Sequence, residues 1–410
     1  MLFEAILDRW SRYHDSIIQT CVVIMALLGV AWLGYEFWRL LSGGEIWPGS
    51  PPGGVDLEIR HAELERWFGD DPISIDRGYY PPATYTMLWP LFGPLELAGL
   101  RWAWALLSAG CLIWLARLTV VYSRVSESPE SVLQKRFTLL VPISMYAAGA
   151  SIGNGQHAIH VLPMLIAAIF LALRPGASWG RDTLATVLFL GALIKPQISA
   201  PFFWIMVFLP GRLRIATLIV LGYLLLTLVA LSFQAVNISD YFRSVNAIGS
   251  LSGTGVRFSD MGALLRKANL GSWGVPVLLS GLAGVGLWIW HYRRVDIWLL
   301  LGVTAIISRF LMYHRWFDDL ILLLPLITLF RLATAEGTPP SGKVVAGILF
   351  GMMWLSLLAP GGLYVLPSPL NVVYAVGQTA VWLTVLMYLV AVTLRKHSVP
   401  ARQTVNRSNT

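Results

Sequence analysis

Four short polar stretches interrupt an otherwise apolar chain, and their residue types can do chemistry together. Asp56 lies in Gly53-Gly54-Val55-Asp56-Leu57-Glu58, directly after the first long apolar segment, in a stretch that closes with Tyr79-Tyr80-Pro81-Pro82. The others are Asn154-Gly155-Gln156-His157, Lys195 just ahead of Pro196, and Tyr313-His314-Arg315-Trp316-Phe317-Asp318-Asp319. A carboxylate where an apolar segment meets water can take a proton from an attacking hydroxyl. A nearby cation stabilises charge growing on a leaving group. Ionisable residues at membrane depth are costly and mark functional sites.

Each cluster also has a plainer reading. Asp56 is a general base, or it caps a helix over 57–67, since Asp is favoured at helix starts. Glu58, Glu63 and Glu65 read as the solvated face of that helix, with Glu58 also close enough in sequence to join a binding site. Tyr80 binds a sugar ring, or it belongs to an interfacial aromatic belt with a proline stop. Lys195 meets a lipid-linked phosphate at the mouth of a groove, or it snorkels to the interface. His314 contacts substrate or tunes Asp56, with Arg315 or Arg309 clamping phosphate. Otherwise it sits in an interfacial salt-bridge cluster in which Asp318 and Asp319 complement a helix dipole. Asn154, Gly155 and Gln156 form a tight inter-helix turn whose polar groups can also bond sugar hydroxyls. The His/Asp/Asp spacing fits no closed metal site, so neither metal nor cofactor is expected.

These residues need a scaffold, and composition names it. The 410 residues are 56% hydrophobic and 13% charged, against about 25% charged in soluble domains. Mean hydropathy is +0.66. The fold class is therefore all-α, a polytopic helical membrane protein forming a single integral domain over 1–410. The net charge of +8 reads as Lys and Arg facing anionic lipid, not as a nucleic-acid surface. Cys21 and Cys111 both lie in apolar runs and read as small core residues. The N-terminus reads as an uncleaved anchor.

Apolar runs predict about twelve spans, near 17–40, 98–122, 137–150, 157–173, 183–194, 198–209, 215–233, 273–291, 297–312, 320–330, 344–359 and 370–394. Several fall short of the roughly 20 residues a crossing needs, so they extend into polar flanks or are broken. The segment 84–92 reads as a re-entrant or interfacial helix. The stretch 183–209 is either one helix kinked at Lys195-Pro196 or two spans with a turn there. Two spans place Arg174/Arg181, Arg212/Arg214, Arg293/Arg294, Arg331/Lys343 and the tail cations on one face, as the positive-inside rule requires. Both termini are then cytoplasmic, and the four polar clusters meet the outer face of the plasma membrane. The first outer loop, 42–82, has eight acids against three Arg and fits that side. A second large outer loop covers 234–272, and the tail 395–410 reads as disordered and cytoplasmic.

The order of motifs resembles glycosyltransferase family 87, within the type C superfamily of multi-span glycosyltransferases. The resemblance is carried by Val55-Asp56-Leu57, Tyr80-Pro81-Pro82, Asn154-Gly155-Gln156, Gly191-Ala192-Leu193-Ile194-Lys195-Pro196, and His314-Arg315-Trp316 ahead of a Leu-Leu-Pro helix. The family includes phosphatidylinositol mannoside mannosyltransferases. The resemblance implies a polyprenyl-phosphate sugar donor, a glycolipid or glycan acceptor, and transfer of a hexose or pentose on the outer face. The family's first-loop acid falls on Asp56, its Gly-Gln turn on Gly155-Gln156, its Lys-Pro on Lys195-Pro196 and its late His on His314. His157 and His160 stand where the family more usually has apolar residues. The rival expectations are a lipid transporter or flippase, which needs a charged midplane path or matched halves, and an O-antigen-type ligase with a diphosphate donor.

Overall fold

The computed structural model describes residues 2–45, 52–69, 80–124, 132–176, 178–234 and 261–398. Most of the second large outer loop, the tip of the first and the tail from 399 onward lie outside the described residues. Among those described, every regular element is a helix, and the one strand-like pairing is an isolated bridge between Met145 and Leu358. Six helices are long and apolar enough to cross a membrane: 16–42 within Leu2–Ser42, Leu97–Ser123, Leu213–Ser232, Gly271–Tyr292, Pro340–Leu357 and 370–397. Two bent pairs raise the number to at most eight. The six remaining predicted spans fall on helices too short to cross alone: Val132–Ser144, Ala158–Leu173, Ile297–Leu311, Leu323–Thr334 and the two arms on either side of Lys195.

The breaks have local causes. The predicted span 137–150 stops at Met145, whose backbone is extended at φ −72° and ψ 131°, and resumes as Tyr146–Gly153. Tyr146–Gly153 and Ala158–Leu173 are bent 119° apart, and Gly155, at φ +71°, sits in the bend. At the other break, Trp179–Ala192 and Pro196–Phe208 diverge by 118°. The residue before a proline is pushed out of the helical region, and Lys195 is at φ −124° and ψ 79°. The chain thus makes a sharp turn at Lys195-Pro196, between a gentle kink and a full hairpin.

A broken helix inside a bundle must satisfy its freed carbonyls from within the protein. At the Lys195 break, hydroxyls do this. Thr84 donates to the Ile194 carbonyl at 3.1 Å, Ser199 to Ala192 at 2.8 Å and Ser308 to Gln197 at 3.2 Å. Thr84 belongs to the short helix Pro82–Phe92, predicted near 84–92, and Thr86 of the same helix donates to the Leu226 carbonyl at 2.9 Å.

The basic connections gather together, as the charge pattern requires of a single face. Arg212 donates to the Arg174 carbonyl at 2.9 Å, and Arg214 pairs with Asp182. Arg331 donates to the carbonyls of Tyr122, at 2.9 Å, and Arg124. A different set of ends, those of the first long helix, the two bends and the 3-10 turn Trp316–Leu322, converges on the site described next.

Candidate functional site

The loop helix Val55–Phe68 begins after Gly54, so Gly54 occupies the cap position and Asp56 is the second helical residue. No side chain caps this helix, and the expectation of Asp56 as its cap is corrected. Two backbone bonds fix the helix start against the first bend. The Gly54 N–H donates to the Gly153 carbonyl at 2.8 Å, and the Asp56 N–H to the Asn154 carbonyl at 3.0 Å. Contact is close because the bend is built of small residues. A Cβ on Gly155 would stand 2.5 Å from Cβ of Leu57, and one on Gly153 would lie inside the Glu36 carboxylate. Asp56 is half-buried, and its carboxylate makes no hydrogen bond or ion pair among the described residues.

The three cations expected to meet phosphate divide into two kinds. Lys195 is buried, neither at a groove mouth nor snorkelling. It pairs with Asp318 and donates to Gln156 at 2.7 Å. Arg309 is likewise buried and pairs with Asp319, which also accepts from the Tyr146 hydroxyl. Gln378 donates to that hydroxyl at 3.3 Å. Asp318 and Asp319 are buried in the first turn of Trp316–Leu322, each neutralising one cation from elsewhere in the fold, and Asp318 also accepts from the Arg315 N–H at 3.1 Å, so the expected salt-bridge cluster at a helix start is present but buried. Arg315 differs. It is exposed, its Nε donates to the Tyr313 hydroxyl at 2.6 Å, and its terminal nitrogens have no partner among the described residues. It lies within Coulombic range of Asp56.

His314 is buried beside this turn. Its Nδ1 donates to the Met312 carbonyl at 3.0 Å, leaving Nε2 as an acceptor with no partner among the described residues. Burial lowers its pKa to about 4, against the opposing pull of Asp318, so the ring is neutral near neutral pH. Tyr80 is also buried within the protein, with the Arg60 guanidinium 4.5 Å over its ring and Asp56 and Lys195 within Coulombic range. Asn154 faces the first long helix. Its amide donates to the Ala150 carbonyl at 2.9 Å and its oxygen accepts from Arg39 at 3.4 Å. Glu58 is exposed and 3.5 Å from Arg101.

The structure thus draws Asp56, Tyr80, Gln156, Lys195, His314 and Arg315 to one place, with Arg309 behind and Asn154 and Glu58 at the sides. Sequence reasoning missed Arg60 and Glu63. Glu63 was expected on the solvated face, but it is buried, pairs with Arg60 and accepts from the Tyr85 hydroxyl at 3.1 Å. Burial raises its pKa to about 7 despite Arg60 and Tyr85. The signal lay in Leu57, Arg60, Leu64 and Trp67, which line one helical face with Glu63 and are all buried. Among the described residues no three His, Cys, Asp or Glu stand close enough to hold a metal ion. No family model, curated protein or solved structure matches the chain.

Proposed function

We propose that the chain is a membrane glycosyltransferase of the type C kind, using a polyprenyl-phosphate sugar as donor and a glycolipid or glycan as acceptor. The observation that carries this reading is a carboxylate, Asp56, with no partner among the described residues, tied through its backbone to the first bend and within Coulombic range of the exposed Arg315. Asp56 takes the proton of an acceptor hydroxyl as that oxygen attacks the anomeric carbon. The bond from the anomeric carbon to the phosphate oxygen breaks with inversion. Polyprenyl phosphate departs into the bilayer, its charge met by Arg315. Neutral His314 offers Nε2 as acceptor to a sugar hydroxyl. Lys195 and Arg309 act by holding the Trp316–Leu322 turn and, through it, His314 and Arg315.

The chain sits in the plasma membrane with both termini cytoplasmic and the site outside. About twelve crossings require each of the short helices to cross separately, whereas pairing them across the bends gives up to eight. Transfer assays with purified protein and polyprenyl-phosphate mannose, glucose, galactose and arabinose test the reading. A glycosidic product from at least one donor is expected, and nucleotide sugars are expected to give none.

One observation favours a second reading. Two bent helix pairs meeting at a buried Lys195–Asp318 pair also suit a transporter site. Movement of a labelled lipid across vesicles without any glycosidic product would favour it.

A further inference from the structure

His157 and His160, which the proposed chemistry leaves unused, form a cluster with Trp104 under the site. Their exposures are 2%, 5% and 2%. The Trp104 ring lies 4.3 Å from that of His160 and 5.2 Å from that of His157, and Tyr80 lies 5.7 Å from His157. One polar contact is made inside the cluster, between His160 Nε2 and the Ser108 hydroxyl at 3.3 Å. Both ring nitrogens of His157, Nδ1 of His160 and Nε1 of Trp104 have no hydrogen-bond partner among the described residues. A buried donor or acceptor left without a partner is costly. Four on three touching side chains therefore point to a polar group that enters this place in the working protein.

We infer that the cluster seats the sugar ring of the donor, an inference that rests on the glycosyltransferase reading above. A neutral imidazole presents one donor and one acceptor, and indole presents one donor. Alternating donors and acceptors mounted on aromatic faces suit an uncharged ring carrying several hydroxyls. They suit phosphate poorly, because indole and neutral imidazole bring no positive charge to it. Tyr80 links the two ends of the substrate. Its ring approaches His157, and the same residue lies within Coulombic range of Asp56. The phosphate therefore lies toward Arg315 and the hydroxylated ring toward His157, with the anomeric carbon between them, facing Asp56.

The test measures, on the full-length protein, the affinity for bare polyprenyl phosphate and for the same lipid carrying mannose, glucose, galactose or arabinose. The sugar-dependent gain in affinity is the ratio of the two. In His157→Phe that gain falls by about tenfold or more, while affinity for bare polyprenyl phosphate stays within about twofold, which also shows that the variant is folded. Trp104→Phe, which keeps a ring and removes one N–H, loses about fivefold of the gain. If both variants keep the full gain while the wild type transfers sugar, the cluster is a set of water-satisfied core residues and this inference alone falls. If the wild type binds none of these lipids and forms no product, the glycosyltransferase reading falls and this inference with it.

Discussion

The backbone N–H of Asp56 donates to the carbonyl of Asn154 at 3.0 Å, so the loop helix and the first bend are one unit at the candidate site. The carboxylate at the start of that helix is positioned by main chain, and its side chain has no partner among the described residues. Side-chain substitutions at 56 therefore change chemistry with little change in placement. Disturbance of the bend displaces the carboxylate without touching it.

Gly155 tests this coupling. Its φ of +71° and the 2.5 Å approach to Leu57 leave no place for a methyl group. Gly155→Ala is expected to cost about 1–3 kcal/mol and to lower transfer by at least about tenfold with Asp56 intact. Thermal unfolding in detergent and initial transfer rates measure the two effects.

The Lys195–Asp318 pair is buried on both sides, so removing either partner strands a charge. Lys195→Met or Asp318→Leu alone is expected to destabilise by about 3–5 kcal/mol. Lys195→Met combined with Asp318→Leu is expected to recover more than half of that loss. A double-mutant cycle on melting midpoints gives the coupling, and additive losses would contradict the pairing.

Arg315 is the cation assigned to the departing phosphate. Arg315→Ala is expected to weaken donor affinity and to lower kcat, for a combined loss in kcat/KM of about a hundredfold. Arg315→Lys recovers only part, because a point charge does not reproduce the guanidinium fork. Steady-state kinetics against donor concentration separate the two effects.

The pH dependence of stability follows from His314 and Glu63, which act in opposite directions. His314 titrates at about 4 when folded, against about 6.5 when unfolded. Its contribution is full above pH 6.5 and is lost as pH falls toward 4, because the unfolded chain takes up a proton that the folded one refuses. Between pH 7.5 and 5 this amounts to about 2 kcal/mol. Glu63, raised to about 7, contributes stability below pH 4.5 that is lost as pH rises through 7. Melts of wild type and His314→Gln at pH 7.5 and 5 isolate the first effect. The variant is expected to lose less on acidification, and an unchanged loss would contradict a buried neutral imidazole.

The long uninterrupted helices were legible in the sequence because nothing competes with their apolar runs. Those predicted near 98–122, 215–233 and 370–394 appear as Leu97–Ser123, Leu213–Ser232 and Leu370–Ser398. The break at Met145 was not legible, since Ile143, Ser144, Met145 and Tyr146 run through it with no glycine, proline or charge at the break itself. The turn at Lys195-Pro196 was legible through its proline. Convergence of the four polar clusters followed from the charge bias of the connections. Pairing did not. The partner of Lys195 lies 123 residues away at Asp318, and no local pattern shows which of two adjacent aspartates takes which cation. Burial of Glu63 was hidden because Arg60 and Glu63, at i,i+3, look like an exposed pair on a helix surface.

In the proposed reaction the side chain at position 56 removes a proton and does nothing else. The direct measurement is single-turnover sugar transfer by purified Asp56→Asn, alongside its affinity for the polyprenyl-phosphate sugar that the wild type uses. A loss of about 10²–10⁴ in rate with donor affinity and melting midpoint unchanged is the predicted result. Turnover within a few-fold of wild type would contradict it.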